Sequence, residues 1–373
     1  MRILFTCGGT AGHINPAVAL ARMFQERHKD CRVLFVGAKG GMETRLIPKE
    51  GYECRTVEVY QLEHHLGLKA LAWNVKAAGA LGRAVSDAGK MIDEFRPDLV
   101  VGTGGYASYP VVKAAAGRHI PTAIHESNAL PGVTTKALAG LVDVVMVGFE
   151  AAKPHYGRAK RVEVTGTPVR PDFYRYTRAE AREKLGIPRD ESAVLCFWGS
   201  LGAAQMNEYM EDFIALSVKN GVPFRLIQGA GRNFSLMSAH LREKGIDLAQ
   251  YPRLELREYI YDMPAVMAAS DLVLCRSGAA TLSEVAAVSK PAVLVPSPNV
   301  TADHQTKNAR VLSDSGGAIL LPEGECSGES LYRLVEELLS DAPRRKKMAR
   351  ALAALSSSDA AEEIYRVLRS IML

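Results

Sequence analysis

Residues 1–27 read MRILFTCGGTAGHINPAVALARMFQER. A short apolar run, Arg2–Cys7, passes directly into Gly8-Gly9-Thr10-Ala11-Gly12-His13, and a helical pattern over Pro16–Arg27 follows, with Asn15-Pro16 expected to start the helix. Strand, glycine loop and helix in immediate succession form the opening unit of a doubly wound α/β fold. Glycines let backbone approach a ligand closely, and the helix start beyond them offers free N–H groups and a positive dipole end suited to an anion. The loop is not the dinucleotide fingerprint: that pattern needs glycine at position 7, which is Cys7, and the lysine of a phosphate loop is absent.

Outward from this stretch the same alternation continues. Arg32–Gly37, Leu99–Gly102, Thr122–His125 and Val142–Val147 read as further strands, with a long helical pattern over Ala70–Phe95. The pattern restarts with Val194–Trp198 and continues through Arg225–Gln228, Leu272–Cys275, Ala292–Pro296 and Ala318–Leu321, with helices expected over Ala279–Val288 and His304–Ser313. Strands alternating with helices imply parallel sheets covered on both faces. A second glycine loop, Gly199-Ser200-Leu201-Gly202-Ala203, follows the first strand of the second half. Two such loops suggest two domains, each presenting a phosphate-friendly turn to a shared cleft. Between the halves, Gly166–Asp172 carries a glycine and two prolines that interrupt both periodicities, and the domain boundary is placed there. Asp359 follows three serines and is expected to cap a last helix, Asp359–Leu373.

The chain has 373 residues, 47% of them apolar and 23% charged, which suits two globular domains with their own cores. A net charge of +5 is only mildly basic, and no dense Lys/Arg run interleaved with aromatics is visible, so nucleic acid is not an expected partner. The six cysteines form no CxxC pair and no zinc spacing, and Cys7, Cys196 and Cys275, in or at the ends of apolar runs, read as small buried hydrophobes in a reducing compartment. The apolar start is too short for a signal peptide, and no segment approaches a membrane span. The expectation is a cytoplasmic protein whose contact with a membrane is peripheral.

Four further clusters follow expected strands, at the end of a parallel sheet where ligands bind. They are Gly102-Thr103-Gly104-Gly105-Tyr106-Ala107-Ser108, His125-Glu126-Ser127-Asn128, Arg276–Glu284 and Ala302–Asn308. For His125 and Glu126 the stronger reading is that they orient the loop. Ser277-Gly278-Ala279 would open a helix and give another anion site, and Glu284, two turns in, could accept from vicinal hydroxyls. Asp303 could cap the helix after it, and Gln305 both donates and accepts. No nucleophile elbow and no metal-ligand set is present.

In this order, GGTAGH at Gly8–His13, GTGGYAS at Gly102–Ser108, HESN at His125–Asn128, TGTPVR at Thr165–Arg170, RSGAATLSE at Arg276–Glu284 and DHQTKNA at Asp303–Ala309 resemble the MurG family. That family transfers N-acetylglucosamine from UDP-N-acetylglucosamine to a lipid-linked peptidoglycan precursor, lipid I, making lipid II. The resemblance spans nearly the whole chain. It implies the GT-B fold: two Rossmann-like, doubly wound parallel-sheet domains facing a cleft. Residues 1–165 would form the acceptor and membrane-facing domain, 166–358 the UDP-sugar domain, and 359–373 a helix returning to the first.

Carried over by position, the resemblance makes His13 and Asn128 catalytic. Gly8, Gly9, Thr10, Ala11, Gly12, Gly104, Gly105 and Tyr106 would bind the acceptor. For the donor it implies Thr10, Gly12, Asn128, Arg170, Ser200, Ile260, Ala280, Thr281, Glu284 and Gln305, with no metal and no cofactor beyond the UDP-sugar itself. The implied partners are a UDP-sugar, an undecaprenyl-linked acceptor and an anionic membrane surface, for which Leu62–Arg83, with Lys69, Lys76, Arg83 and Trp73, is the candidate; the same stretch reads equally as an ordinary amphipathic core helix with its lysines outside. Two loops depart from the family pattern. Ala11 replaces a glycine in the first; Trp198 and Leu201 replace a glycine and a glutamine in the second, and leucine cannot hydrogen-bond a sugar or phosphate. The rival readings are another GT-B enzyme, such as a glycolipid synthase or a UDP-sugar epimerase, and a non-catalytic paralogue that binds UDP-sugar or lipid.

Overall fold

The structure is a computed structural model that describes residues 1–60, 68–199, 202–300, 303–355 and 360–372, with backbone alone at residues 11, 68–72, 74–76 and 78. The chain divides into two compact units, one of Met1–Arg170 with Ser358–Leu373 and one of Pro171–Ser357.

The first unit is built on β1 (Arg2–Thr6), β2 (Arg32–Ala38), β3 (Glu53–Val57), β4 (Leu99–Gly102), β5 (Thr122–Glu126), β6 (Val144–Val147) and β7 (Val162–Val164). They form one parallel sheet in the order β3-β2-β1-β4-β5-β6-β7. Successive side chains point to opposite faces, and both faces are covered. Leu4, Leu34, Val36 and Val100 lie in one core, and Ile3, Phe5, Phe35 and Val101 in the other, all essentially without solvent contact. This is why the strands read as unbroken apolar runs. The second core is completed by the C-terminal helix Ala360–Ile371, which sets Ile364, Val367 and Leu368 into it. That helix is fastened to the helix Ala11–Arg27: Tyr365 Oη lies 2.8 Å from His28 Nε2, its ring packs 5.2 Å from Phe24, and Arg27 pairs with Glu362.

The second unit repeats the scheme with β8 (Ala193–Phe197), β9 (Arg225–Gly229), β10 (Leu254–Arg257), β11 (Leu272–Cys275), β12 (Ala292–Leu294) and β13 (Ala318–Leu320), all parallel, in the order β10-β9-β8-β11-β12-β13. The N-terminal edge of this sheet is tied by Arg182, fully buried, whose guanidinium donates to the carbonyls of Pro188, Glu191 and Ala269 and pairs with Asp271 at 2.8 Å.

Three strands were not anticipated: β3, β7 and β10. All three are edge strands, with one side open to water, so their sequences ECRTV, VEV and LELR alternate with polar residues. The first helix begins at Ala11, so Pro16 lies inside it, in its second turn, and does not start it. The expected cap at Asp359 lies outside the described residues, as do the side chains of Lys69 and Lys76 and the segment 61–67 in the candidate membrane surface.

In both sheets the strand order reverses beside the first strand, between β1 and β4 and between β8 and β11. Connections leave such neighbours toward opposite faces, opening a crevice at the carboxyl ends of the strands. The first glycine loop follows β1 at one of these points, and Gly199 and Gly202 of the second loop follow β8 at the other.

Candidate functional site

In the first unit the loops after β1 and β4 are packed against each other through glycine. A Cβ on Gly105 would stand 2.2 Å from the carbonyl oxygen of Gly8, and one on Gly104 would stand 2.6 Å from Cδ2 of His13. Both glycines have positive φ, +109° at Gly104 and +83° at Gly105. No other residue satisfies the backbone and the contact together. His13 sits in the first turn of its helix, half-buried. Its Nδ1 lies 2.7 Å from Gly8 O and 3.4 Å from Thr10 Oγ1. A carbonyl oxygen only accepts, so in the neutral ring Nδ1 carries the hydrogen and Nε2 keeps a lone pair, on the edge beside Gly104. Thr103 Oγ1 donates to His13 O at 2.7 Å and Ser108 Oγ to Thr6 O and Gly104 O, which fixes the two loops together. A Cβ on Gly9 would stand 3.6 Å from Cε1 of the Tyr106 ring. Burial, and then the charge of Glu43, push the Tyr106 hydroxyl above its usual pKa.

Glu43 was not foreseen from the sequence. It opens the helix Glu43–Lys49 after β2 and is fully buried, accepting from Ala38 N at 2.7 Å and from Gly9 N at 3.3 Å. Gly8, Gly37 and Gly41 all lie against it, so that a Cβ on any of them would come within 2.8 Å of its side chain. The one signal was a carboxylate directly after Gly40-Gly41-Met42 at the end of a strand.

His125 and Glu126, at the end of β5, act on the backbone. His125 is wholly buried; its Nε2 donates to Gly166 O at 2.9 Å and Ser127 Oγ lies 3.3 Å from its Nδ1. Burial pushes this imidazole below its usual pKa, so it is a neutral strut holding the TGTPVR segment that ends in Arg170. The Glu126 carboxylate takes Asn128 N and Nδ2 on one oxygen, at 2.9 and 2.8 Å, and Gly132 N and Thr135 Oγ1 on the other, at 2.9 and 2.6 Å. Asn128 is thereby held in a fixed orientation at the same sheet end as His13.

In the second unit the helix Ala279–Ala287 starts from Gly278, which has no side chain to cap it, so the first-turn N–H groups at Ala280 and Thr281 are those of an uncapped helix start. Glu284 stands two turns in, near enough to raise the pKa of Cys275 after the larger effect of burial. Gln305, in the helix His304–Asp314, spends its Oε1 on Ser277 N at 3.3 Å and Ser297 N at 2.9 Å, joining the loops after β11 and β12. Asp303 does not cap that helix as expected: it adopts φ +52°, and its carboxylate accepts from the Thr306 hydroxyl at 2.6 Å and, among the described residues, makes no capping bond to the helix backbone. Ile260 follows β10 with its side chain buried against Gly229. Gly202 approaches β9 so closely that a Cβ would stand 2.3 Å from Ala230 O. Ser200 and Leu201 lie outside the described residues. Trp198 is buried, with the Arg276 guanidinium 6.0 Å above its ring; Arg276 itself donates to Val295 O and Pro296 O and pairs with Glu323. The arginine of RSGAATLSE is thus a structural brace.

The structure therefore brings Gly8, Gly9, Thr10, Gly104, Gly105, Tyr106 and His13 together in the first unit, and Gln305 to the start of the helix bearing Ala280, Thr281 and Glu284 in the second. Among the described residues no helix is long and apolar enough to cross a membrane.

Comparison with known proteins gives a consistent picture. Residues 3–147 match the glycosyltransferase family 28 N-terminal domain and residues 193–364 its C-terminal domain. The chain is 37% identical, over its whole length and 98% of the relative's, to the UDP-N-acetylglucosamine–N-acetylmuramyl-(pentapeptide) pyrophosphoryl-undecaprenol N-acetylglucosamine transferase of Acetivibrio thermocellus. It is also 37% identical to the protein of that name in Lactococcus lactis, again over its whole length and 99% of the relative. Among solved structures it is similar to Acinetobacter baumannii MurG, at a TM-score of 0.75 and 26% identity, covering 99% of both chains.

Proposed function

Since the chain belongs to glycosyltransferase family 28, as a member of its MurG group, we propose that it transfers N-acetylglucosamine from UDP-N-acetylglucosamine to the undecaprenyl-pyrophosphoryl N-acetylmuramyl-pentapeptide, lipid I, to give lipid II. The acceptor hydroxyl oxygen forms a bond to the anomeric carbon of the donor as the bond from that carbon to the UDP β-phosphate oxygen breaks. A single displacement inverts the anomeric configuration, and UDP leaves with the electron pair.

His13 takes the hydroxyl proton on Nε2. The observation that supports this role is the 2.7 Å bond from Nδ1 to Gly8 O, which keeps the lone pair on the other nitrogen. Gly104 and Gly105, with Gly8 and the helix start at Thr10–Gly12, receive the acceptor diphosphate, and Tyr106 and Asn128 flank the acceptor sugar. For the donor, Ile260 meets the uracil through its backbone, Glu284 accepts from the ribose hydroxyls, and Ser200, Ala280 and Thr281 surround the phosphates. There the uncapped helix start stabilises the charge that develops on the leaving diphosphate. Gln305 reaches the sugar with its amide nitrogen, and Arg170 adds a positive charge to the donor set. The lipid acceptor requires a peripheral membrane contact on the cytoplasmic face.

UDP release is measured with UDP-N-acetylglucosamine, with and without a short-chain lipid I analogue. Acceptor-dependent release with a disaccharide product by mass spectrometry is expected. Release or isomerisation without acceptor would favour an epimerase, and binding of UDP without turnover in either case would favour a non-catalytic paralogue.

A further inference from the structure

The Glu43 carboxylate and the His13 imidazole meet the same peptide group from its two ends. The N–H of Gly9 points to Glu43 Oε2 at 3.3 Å, and the C=O of Gly8, the other half of that peptide, accepts from His13 Nδ1 at 2.7 Å. We propose that Glu43 is a positioning residue for the base: it holds and polarises the Gly8–Gly9 peptide, which in turn fixes the tautomer and raises the proton affinity of His13. The inference rests on the reading of His13 as the general base.

First, a carboxylate accepting a peptide N–H draws positive charge to that end and leaves the carbonyl oxygen more negative. Hydrogen bonds in such a chain strengthen one another. The carbonyl then behaves toward the imidazole as a muted form of the carboxylate that orients a catalytic histidine directly. Second, the charge is placed where its effect is not lost to water. Glu43 has no exposed surface, and among the described residues it has no ion-pair partner. Its influence is visible on the other titratable groups of this pocket: it adds to burial in raising Cys7, Cys54 and Tyr106. Third, the fold is shaped around it. Gly8, Gly37 and Gly41, from the ends of two neighbouring strands, present no Cβ where the carboxylate stands. A buried carboxylate with this surround is costly to fold, and a purely structural bridge between Ala38 and Gly9 could be built without charge.

The test is the pH dependence of kcat/KM in Glu43→Gln, with acceptor-dependent UDP release as the assay. The glutamine keeps the shape, but its nitrogen cannot accept, so one of the two N–H bonds is lost together with the charge. The acidic limb of the profile should move to lower pH by about half a unit or more, with the KM for UDP-N-acetylglucosamine changed less than about twofold. A lower rate with the limb in its original place would reduce Glu43 to a structural bridge and overturn the proposal. His13→Ala, run in parallel, should abolish the limb. If the limb persists there, the base assignment itself is wrong, a failure distinguishable from an immobile limb in Glu43→Gln alone. Should Glu43→Gln not fold, NMR of the wild-type protein with 15N-labelled histidine decides: a neutral His13 protonated on Nδ1 is required, and the Nε2–H tautomer overturns the relay.

Discussion

Gly105→Ala tests whether the two loops of the first unit must touch. The structure sets two separate costs. At φ +83° an alanine is in the left-handed region, which costs about 1–2 kcal/mol, partly offset by about 0.4–1 kcal/mol because alanine also restricts the unfolded chain. The new Cβ would also stand 2.2 Å from Gly8 O, 2.7 Å from Gly8 C and 2.9 Å from Gly8 N, all backbone atoms that cannot swing aside. Ordinary contact begins near 3.4 Å, so the loops must part by about 1 Å, and overpacking of this kind costs about 1–3 kcal/mol. The displaced carbonyl is the one that holds His13, the base proposed above, and a shift of about 1 Å in such a group can lower the rate by about 10²-fold. Gly40→Ala is the matched control, since Gly40 has φ +75° but nothing within 4 Å of where its Cβ would stand; it carries the backbone cost alone. Both variants are assayed by urea unfolding, followed through Trp73, the only tryptophan of the first unit, and by acceptor-dependent UDP release. Gly105→Ala should be the less stable by about 1–3 kcal/mol and the slower by at least tenfold. Equal stability and equal kcat in the two variants would refute the claim that loop contact positions the base.

Three further predictions concern the second unit. Gln305→Leu leaves the N–H groups of Ser277 and Ser297 without their shared acceptor, so the KM for UDP-N-acetylglucosamine should rise at least tenfold, at about 1–3 kcal/mol for each unmet donor. Gln305→Glu, which keeps an acceptor, should recover part of the loss in steady-state kinetics. Asp271→Asn strips the partner from the buried Arg182 and should cost about 3–5 kcal/mol in urea titration; kcat per folded molecule should not change, because this pair ties the sheet end opposite the loops. Lys290, whose ammonium donates to Ala268 O and Ser270 O, has its pKa pushed down to about 8 by burial. Between that value and the usual 10.5 the unfolded chain still holds the proton that the folded chain has released. Stability therefore rises with pH across this window, by at most about 3 kcal/mol. In Lys290→Met that rise should be smaller by this amount in unfolding curves recorded from pH 8 to 10.5.

The elements that could be read from the sequence are those whose environment is one-sided and simple. Strands buried on both faces, such as Leu99–Gly102 and Leu272–Cys275, are continuous apolar runs bounded by turn residues. The edge strands Glu53–Val57, Val162–Val164 and Leu254–Arg257 share their polar alternation with loops, and only the pairing partner, distant in sequence, reveals them. The same distinction separates the site residues. Glycine loops and helix starts after strands are local patterns, so the loops at Gly8–Gly12 and Gly104–Gly105 and the helix start at Ala279–Thr281 were visible. The tendency of His125 and Glu126 to orient a loop could be argued from position alone, but the four bonds of Glu126 that fix Asn128 could not. Glu43 was invisible for a different reason. A glutamate that opens a helix is ordinarily a solvated residue favourable to the dipole, and its burial depends on three glycines brought in from two strand ends, β1 and β2, that pair only in the folded sheet. Sequence therefore shows where a ligand can approach the backbone; which side chain stands behind that backbone and sets its charge is decided by strand order.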